Sequence, residues 1–262
     1  MMRFDRELFS TGIRRLKLLL RYEFLKTMNR SWFVFSRLVG LLAIAGIILT
    51  IPRGTAGDYI ELLLPGLATV FLLHPFLKAG KVFAESYSLP TSWRDLPVPQ
   101  QLFVFCGLPG ELVLNLGGLL IFFLLMTAGG YSTAFLVNPY YWLFYFSLLP
   151  GALGWGLVLN SLGLLVEEEK IAPAGRRVIE WLGGVFVLAD WLPTGLYQLS
   201  FIFPHSYLAG LGRELVRNQQ PGSLFYPAGA AVSFTVLLVG VVVFQLVLER
   251  ALQDGKIDRN TR

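Results

Sequence analysis

One cysteine, Cys106, and two histidines, His74 and His205, are the chain's whole supply of the side chains that most often bind metals or act as nucleophiles and bases. One cysteine excludes an internal disulfide. Two histidines with no HExxH and no CxxC leave no recognisable metal-ligand set, because a zinc site takes three or four ligands at fixed spacings. No GxSxG is present, which removes the strained turn that presents a nucleophilic serine. No GxxxxGK[ST] is present either, so the chain has no phosphate-binding loop of that kind. The sequence therefore points to no catalytic residue, no metal site and no cofactor bound by this chain. Charge is scarce too. Only 15% of the 262 residues are Asp, Glu, Lys or Arg, against roughly 25% in a soluble domain.

Apolar residues make up 55% of the chain, and they gather into runs of about 20, the length that crosses a hydrocarbon core of ~30 Å. The expected class is an all-α integral membrane protein with six transmembrane helices. An N-terminal region, 1–31, carries Ile13, Leu16, Leu20, Phe24 and Met28 at helical spacing among Arg14, Arg15, Lys17, Arg21 and Lys26. That pattern is a basic amphipathic helix lying at the membrane surface, and the charges spread through it do not resemble a signal peptide. The spanning domain is expected over 32–249. Its spans fall at about 32–51, 59–80, 102–127 and 139–166, then from near Val178, and at about 224–248. Residues 52–58 read as a tight turn and 167–177 as a polar loop. The stretch 193–212 is apolar but interrupted by Pro193 and Pro204, which remove backbone donors. It reads as a re-entrant or interfacial pair of short helices. A tail, 250–262, follows.

Six spans put both ends on one side. That side takes nearly all of the 22 Lys and Arg residues, and the other keeps Arg53, Arg213 and Arg217. The positive-inside bias then places both termini in the cytoplasm and the protein in the cytoplasmic membrane. It also accounts for the net charge of +5 without a nucleic-acid partner. The partners expected at this level are membrane lipids.

Polar groups at membrane depth are functional candidates. Glu111, Asn115, Asn160, Ser161 and Asp190 qualify. The plainer account of the Asn and Ser positions is hydrogen bonding between helices beside small residues, and the GALGWG run at 151–156 signals close helix packing. An intramembrane enzyme would draw on Glu167, Glu168 and His205, but their spacing does not match a protease motif. An ion-coupled secondary carrier is a further alternative, although no internal repeat of the kind such carriers show is visible.

Several features occur together in one order: the basic amphipathic helix, LLLPG at 62–66, a polar island ending RDLPVP at 94–99, the stretch WLPTGLYQLSFIFPHSYLAGLGREL at 191–215, and a last span running into a basic tail. In this the chain resembles the membrane subunit of the second type of ABC exporter, the family of drug, lipid and polysaccharide exporter permeases. The resemblance implies a permease that pairs with a second copy or a relative, docks cytoplasmic ABC ATPase subunits carrying ATP and Mg, and moves its cargo by alternating access. It implies an ATPase-coupling role for Glu85, Trp93, Arg94, Asp95 and Pro97, and an outer gate at Pro193, Tyr197, Pro204, His205 and Tyr207. It also implies a pathway lined by Phe71, His74, Phe76, Phe186 and Asp190, whose aromatic character suits an amphipathic or lipid-like cargo.

Overall fold

The computed structural model describes residues 31–50, 55–78, 101–166, 171–185, 191–217 and 225–254, and Arg21 and Leu25 besides. Its regular elements are helices: α1 (Ser31–Thr50), α2 (Thr55–Leu77), α3 (Gln101–Ala128), a 3-10 turn (Ala134–Val137), α4 (Pro139–Val166), α5 (Ile171–Leu182), α6 (Thr194–Ser200), α7 (Pro204–Val216) and α8 (Phe225–Gln253). Among the described residues there is no strand. Among the described residues four stretches are long and apolar enough to cross a membrane: Tyr59–Leu77, Leu108–Ala128, Pro139–Leu165 and Tyr226–Ala251. On α8, Leu238, Val242 and Leu246 repeat every fourth residue and all stand exposed, as a lipid-facing stripe does. The opposite pattern holds on α2, where Leu64, Ala68 and Leu72 are fully buried. α2 is thus the central helix, with α3, α4 and α7 against it.

Local chemistry sets the ends. Asn138 accepts the Tyr140 N–H on its side-chain oxygen at 2.9 Å, and Pro139, which has no N–H to leave orphaned, opens α4. α3 stops in a Schellman motif: Gly130 has φ 83°, its N–H meets the Thr127 carbonyl, and the Tyr131 N–H meets the Met126 carbonyl. The same motif stops α5. Gly184 has φ 73°, its N–H bonds the Trp181 carbonyl, and the Val185 N–H bonds the Glu180 carbonyl. Glycine reaches this left-handed backbone without a Cβ penalty.

Three expectations change here. The polar loop expected at 167–177 is helical from Ile171, with Pro173 tolerated in the first turn, where a missing N–H costs nothing. The span expected to start near Val178 does not continue as one helix, because Gly184 ends α5 six residues later. Likewise α2 is already helical at Thr55, inside the expected turn.

α4 and α8 lie parallel and nearly in contact. A Cβ on Gly154 would fall 2.6 Å from the Val236 carbonyl carbon and 2.7 Å from the Leu237 Cα, and a Cβ on Gly151 would fall 2.9 Å from the Ser233 Cα. The small residues of the GALGWG run do pack helices closely. Asn115, Asn160 and Ser161 behave differently from expectation. Each donates to the carbonyl four residues back in its own helix, at 2.6, 2.5 and 2.8 Å, rather than across to a neighbour.

α2 contains Pro65 and Pro75, each of which deprives its helix of a donor. In both cases another helix supplies a donor to the carbonyl three residues before the proline. Arg213 Nε of α7 donates to the Leu62 carbonyl at 2.8 Å, and the Tyr145 hydroxyl of α4 donates to the Leu72 carbonyl at 3.3 Å. The carbonyl that each proline directly frees is the one four residues back, on Glu61 and Phe71, so these contacts brace the neighbouring carbonyl of the same turn.

Candidate functional site

Contacts along α2 trace the path from α5 to α7. At the C-terminal end of α2, His74 Nδ1 donates to Glu180 Oε1 of α5 at 3.0 Å. Higher up, a Cβ on Gly66 would stand 2.9 Å from the Val185 Cα. At the N-terminal end, the rings of Tyr59 and Trp191 stack with centroids 5.1 Å apart and planes 6° from parallel. Glu180 and Trp191 therefore stand against opposite ends of α2, about 22 Å apart along it at 1.5 Å per residue. After Trp191 the chain turns back. Ile202, between α6 and α7, presents its carbonyl to Trp155 Nε1 at 3.0 Å, and the Trp155 ring lies against Phe203 at 5.1 Å. Trp155 is next to Gly156, whose Cβ would stand 3.0 Å from the Leu77 carbonyl oxygen. α7 then runs antiparallel to α2. Gly212 faces Pro65, and Arg213 reaches Leu62.

α6 and α7 thus form a helical hairpin whose tip lies near the C-terminal end of α2. Pro193 and Pro204 do not interrupt these helices; they precede α6 and open α7. The tip is closed by Ser206 Oγ, which donates to the Ser200 carbonyl at 2.5 Å.

The tip brings three ionisable side chains together. A Cβ on Gly183 would come within 2.6 Å of the His205 Cβ, so His205 sits one turn from Glu180, within electrostatic reach of both Glu180 and His74. Arg176 of α5 lies within reach of Glu180 and of Glu111 on α3. Lys78 Nζ pairs with Glu111 Oε2 at 3.4 Å. His205 is 0% exposed, and neither of its ring nitrogens has a hydrogen-bond partner among the described residues.

Of the residues expected from sequence, His74 and His205 were assigned to different roles and now share one cluster. Tyr197 packs edge-on against Phe201 at 5.0 Å, and Phe201 packs against Tyr207 at 5.7 Å. Pro193 is exposed while Pro204 and Tyr207 are buried. Phe71 leans on Phe122 at 6.1 Å, and Phe76 is half-buried beside Leu108. Glu85, Trp93, Arg94, Asp95, Pro97, Phe186 and Asp190 lie outside the described residues. The sequence reading missed Glu180, although a lone carboxylate in the apolar run 178–189 was a visible signal.

Among the described residues no group of three or more His, Cys, Asp or Glu side chains is set to hold a metal ion. The cluster joins one carboxylate to one imidazole by a hydrogen bond and leaves the second imidazole buried beside them without a partner among the described residues. Compared with models of known families and with curated proteins, the chain matches none.

The Trp155 contact gives a direct test of the tip's anchoring. Trp155→Phe keeps the ring against Phe203 and deletes the donor to Ile202. It is expected to cost about 1 kcal/mol, read as a lowered midpoint of thermal unfolding in detergent. No shift would mean that the tip is not held there.

Proposed function

We propose that the chain is the membrane subunit of an ATP-driven ABC exporter, moving an amphipathic or lipid-like cargo across the cytoplasmic membrane by alternating access. The observation that carries this reading is the α6–α7 hairpin, which leaves the Tyr59–Trp191 end, reaches the far end of α2 and returns. In the exporter reading this hairpin is the re-entrant outer segment. α5 with the stretch up to Trp191 is a discontinuous fifth crossing, and α1 with the four long apolar stretches provides the other five. Both termini are then cytoplasmic. Two copies, or one copy and a relative, enclose the pathway, and the segment containing Glu85, Trp93, Arg94, Asp95 and Pro97 receives the motion of the partner ATPases.

One observation favours a second reading. The buried His74–Glu180–His205 cluster is the kind of intramembrane group that ion-coupled carriers use as a relay. A single preparation separates the two. The tagged full chain is purified from membranes under mild conditions, together with any P-loop ATPase that it holds, and reconstituted. The exporter reading expects the ATPase to be retained, its hydrolysis to be stimulated by cargo, and the combined replacement Arg94→Ala, Asp95→Ala to release it. Cargo movement by the chain alone, driven by an ion gradient, would establish the carrier instead.

A further inference from the structure

We propose that His74, Glu180 and His205 form a buried proton-binding site whose occupancy releases the tip of the α6–α7 hairpin from α2 and α5. The inference rests on the hairpin's docking and stands or falls independently of any ATPase.

The docked tip has one carboxylate and two imidazoles. Glu180 accepts a hydrogen bond from His74, so one positive charge on the imidazoles can be matched by one negative charge. A second has no counter-ion of its own. The charged groups facing the cluster are Arg176 on the same helix as Glu180, Lys78 on α2, and Glu111 on α3, which is already paired with Lys78. From α4 the neighbour of the tip is Trp155, which carries no charge. Two charged imidazoles would therefore stand with Arg176 against Glu180 alone.

Burial sets the sign. His205 is enclosed and its nitrogens are unpartnered among the described residues, and removing an imidazolium from water disfavours the charged form. In an undocked hairpin, the same imidazole is hydrated and takes a proton in the ordinary histidine range. The undocked state then binds more protons than the docked one, so acid favours release and docking is fully present at higher pH. The unpartnered imidazole is the feature that a purely structural cluster would not need. A packing residue at this place could be apolar, whereas a buried polar group without a partner is retained at a cost.

The chain's two histidines make the test direct. The full-length protein in phospholipid nanodiscs is labelled with 15N-histidine, and the two imidazoles are followed by NMR from pH 8 to pH 5. Amide hydrogen exchange of α7 is measured over the same range and corrected for the intrinsic chemical rate. The expected result is an acceleration of α7 exchange by about tenfold toward pH 5, coincident with protonation of His205. His205→Gln should remove most of that pH dependence. Glu180→Gln keeps an acceptor for His74 but removes the negative charge, so release should move to higher pH. A structural role alone would change exchange equally at every pH. The proposal is overturned if wild-type α7 exchange does not vary with pH, or if His205 protonates in the ordinary range without any change in exchange. It is equally overturned if His205→Gln retains the full pH response. Where a variant does not fold, the wild-type series decides by itself.

Discussion

Arg213→Ala is expected to destabilise the folded chain by about 3 to 5 kcal/mol, as two hydrogen bonds from a charged donor are each worth ~1.5–3 kcal/mol. Arg213 is 7% exposed and joins three elements at once. Its Nε holds the Leu62 carbonyl of α2, and its Nη2 holds the Gly184 carbonyl in the turn that ends α5. The first carbonyl lies in the turn loosened by Pro65, and the second belongs to a left-handed glycine beyond the end of a helix. The Leu62 carbonyl still faces the Gly66 N–H within its helix, whereas the Gly184 carbonyl lies beyond the end of α5, so truncation removes a second, charged donor from the first and the side-chain donor from the second. Arg213→Lys should recover only part of the loss, because an ammonium cannot reproduce the fork that reaches both carbonyls. Thermal unfolding of the detergent-solubilised protein, followed by tryptophan fluorescence, reads the effect. A loss below about 1 kcal/mol for the alanine variant, the size expected for a neutral hydrogen bond, would show that Arg213 does not tie these elements together.

Gly154→Leu is the second large effect, with an expected cost of about 3 kcal/mol. The Val236 and Leu237 backbone stands where its Cβ would go, and a Cβ on Gly240 would in turn fall 2.8 Å from the Gly154 Cα. Backbone cannot rotate away as a flexible side chain can, so α4 and α8 must separate along much of their length. Gly46→Ala is the control. A Cβ there meets nothing within 4 Å, and replacing a helical glycine by alanine should stabilise by roughly 0.5–1 kcal/mol. Equal effects at the two positions would exclude tight α4–α8 packing as the cause.

How much of this was readable in advance depended on the kind of signal. α3 and α4 were legible almost to the residue, since uninterrupted apolar runs mark a spanning helix and the Asn138–Pro139 pair marks a start. α5 was not. Arg176 and Arg177 make the first half of its segment look like a solvated loop, and the second half reads as the start of a span, whereas the one helix that covers both buries Ile179 and Glu180 against neighbours that composition cannot locate. The stop at Gly184 was hidden because a Gly-Gly pair in an apolar run reads equally as a packing surface. For the candidate site, His74 and His205 were noticed as rare residues, but they are far apart in sequence, and only the folding-back of α7 along α2 brings them to one carboxylate. The roles of Asn115, Asn160 and Ser161 were misjudged for a local reason. A short polar side chain inside a helix can satisfy itself on the carbonyl four residues earlier, and no sequence pattern distinguishes that from a bond to another helix.

The two prolines of α2 also impose an order of assembly. When α2 leaves the ribosome, the side chains that will complete it do not yet exist. Tyr145 follows Leu72 by 73 residues, and Arg213 follows Leu62 by 151, which at common synthesis rates are delays of about 4 to 30 seconds. Throughout that interval the nascent segment must rest against the insertion machinery, headgroups or water for its loosened turns. A product truncated before residue 213 would therefore be left with an unfinished central helix, and cellular quality control would have a ready mark by which to recognise it.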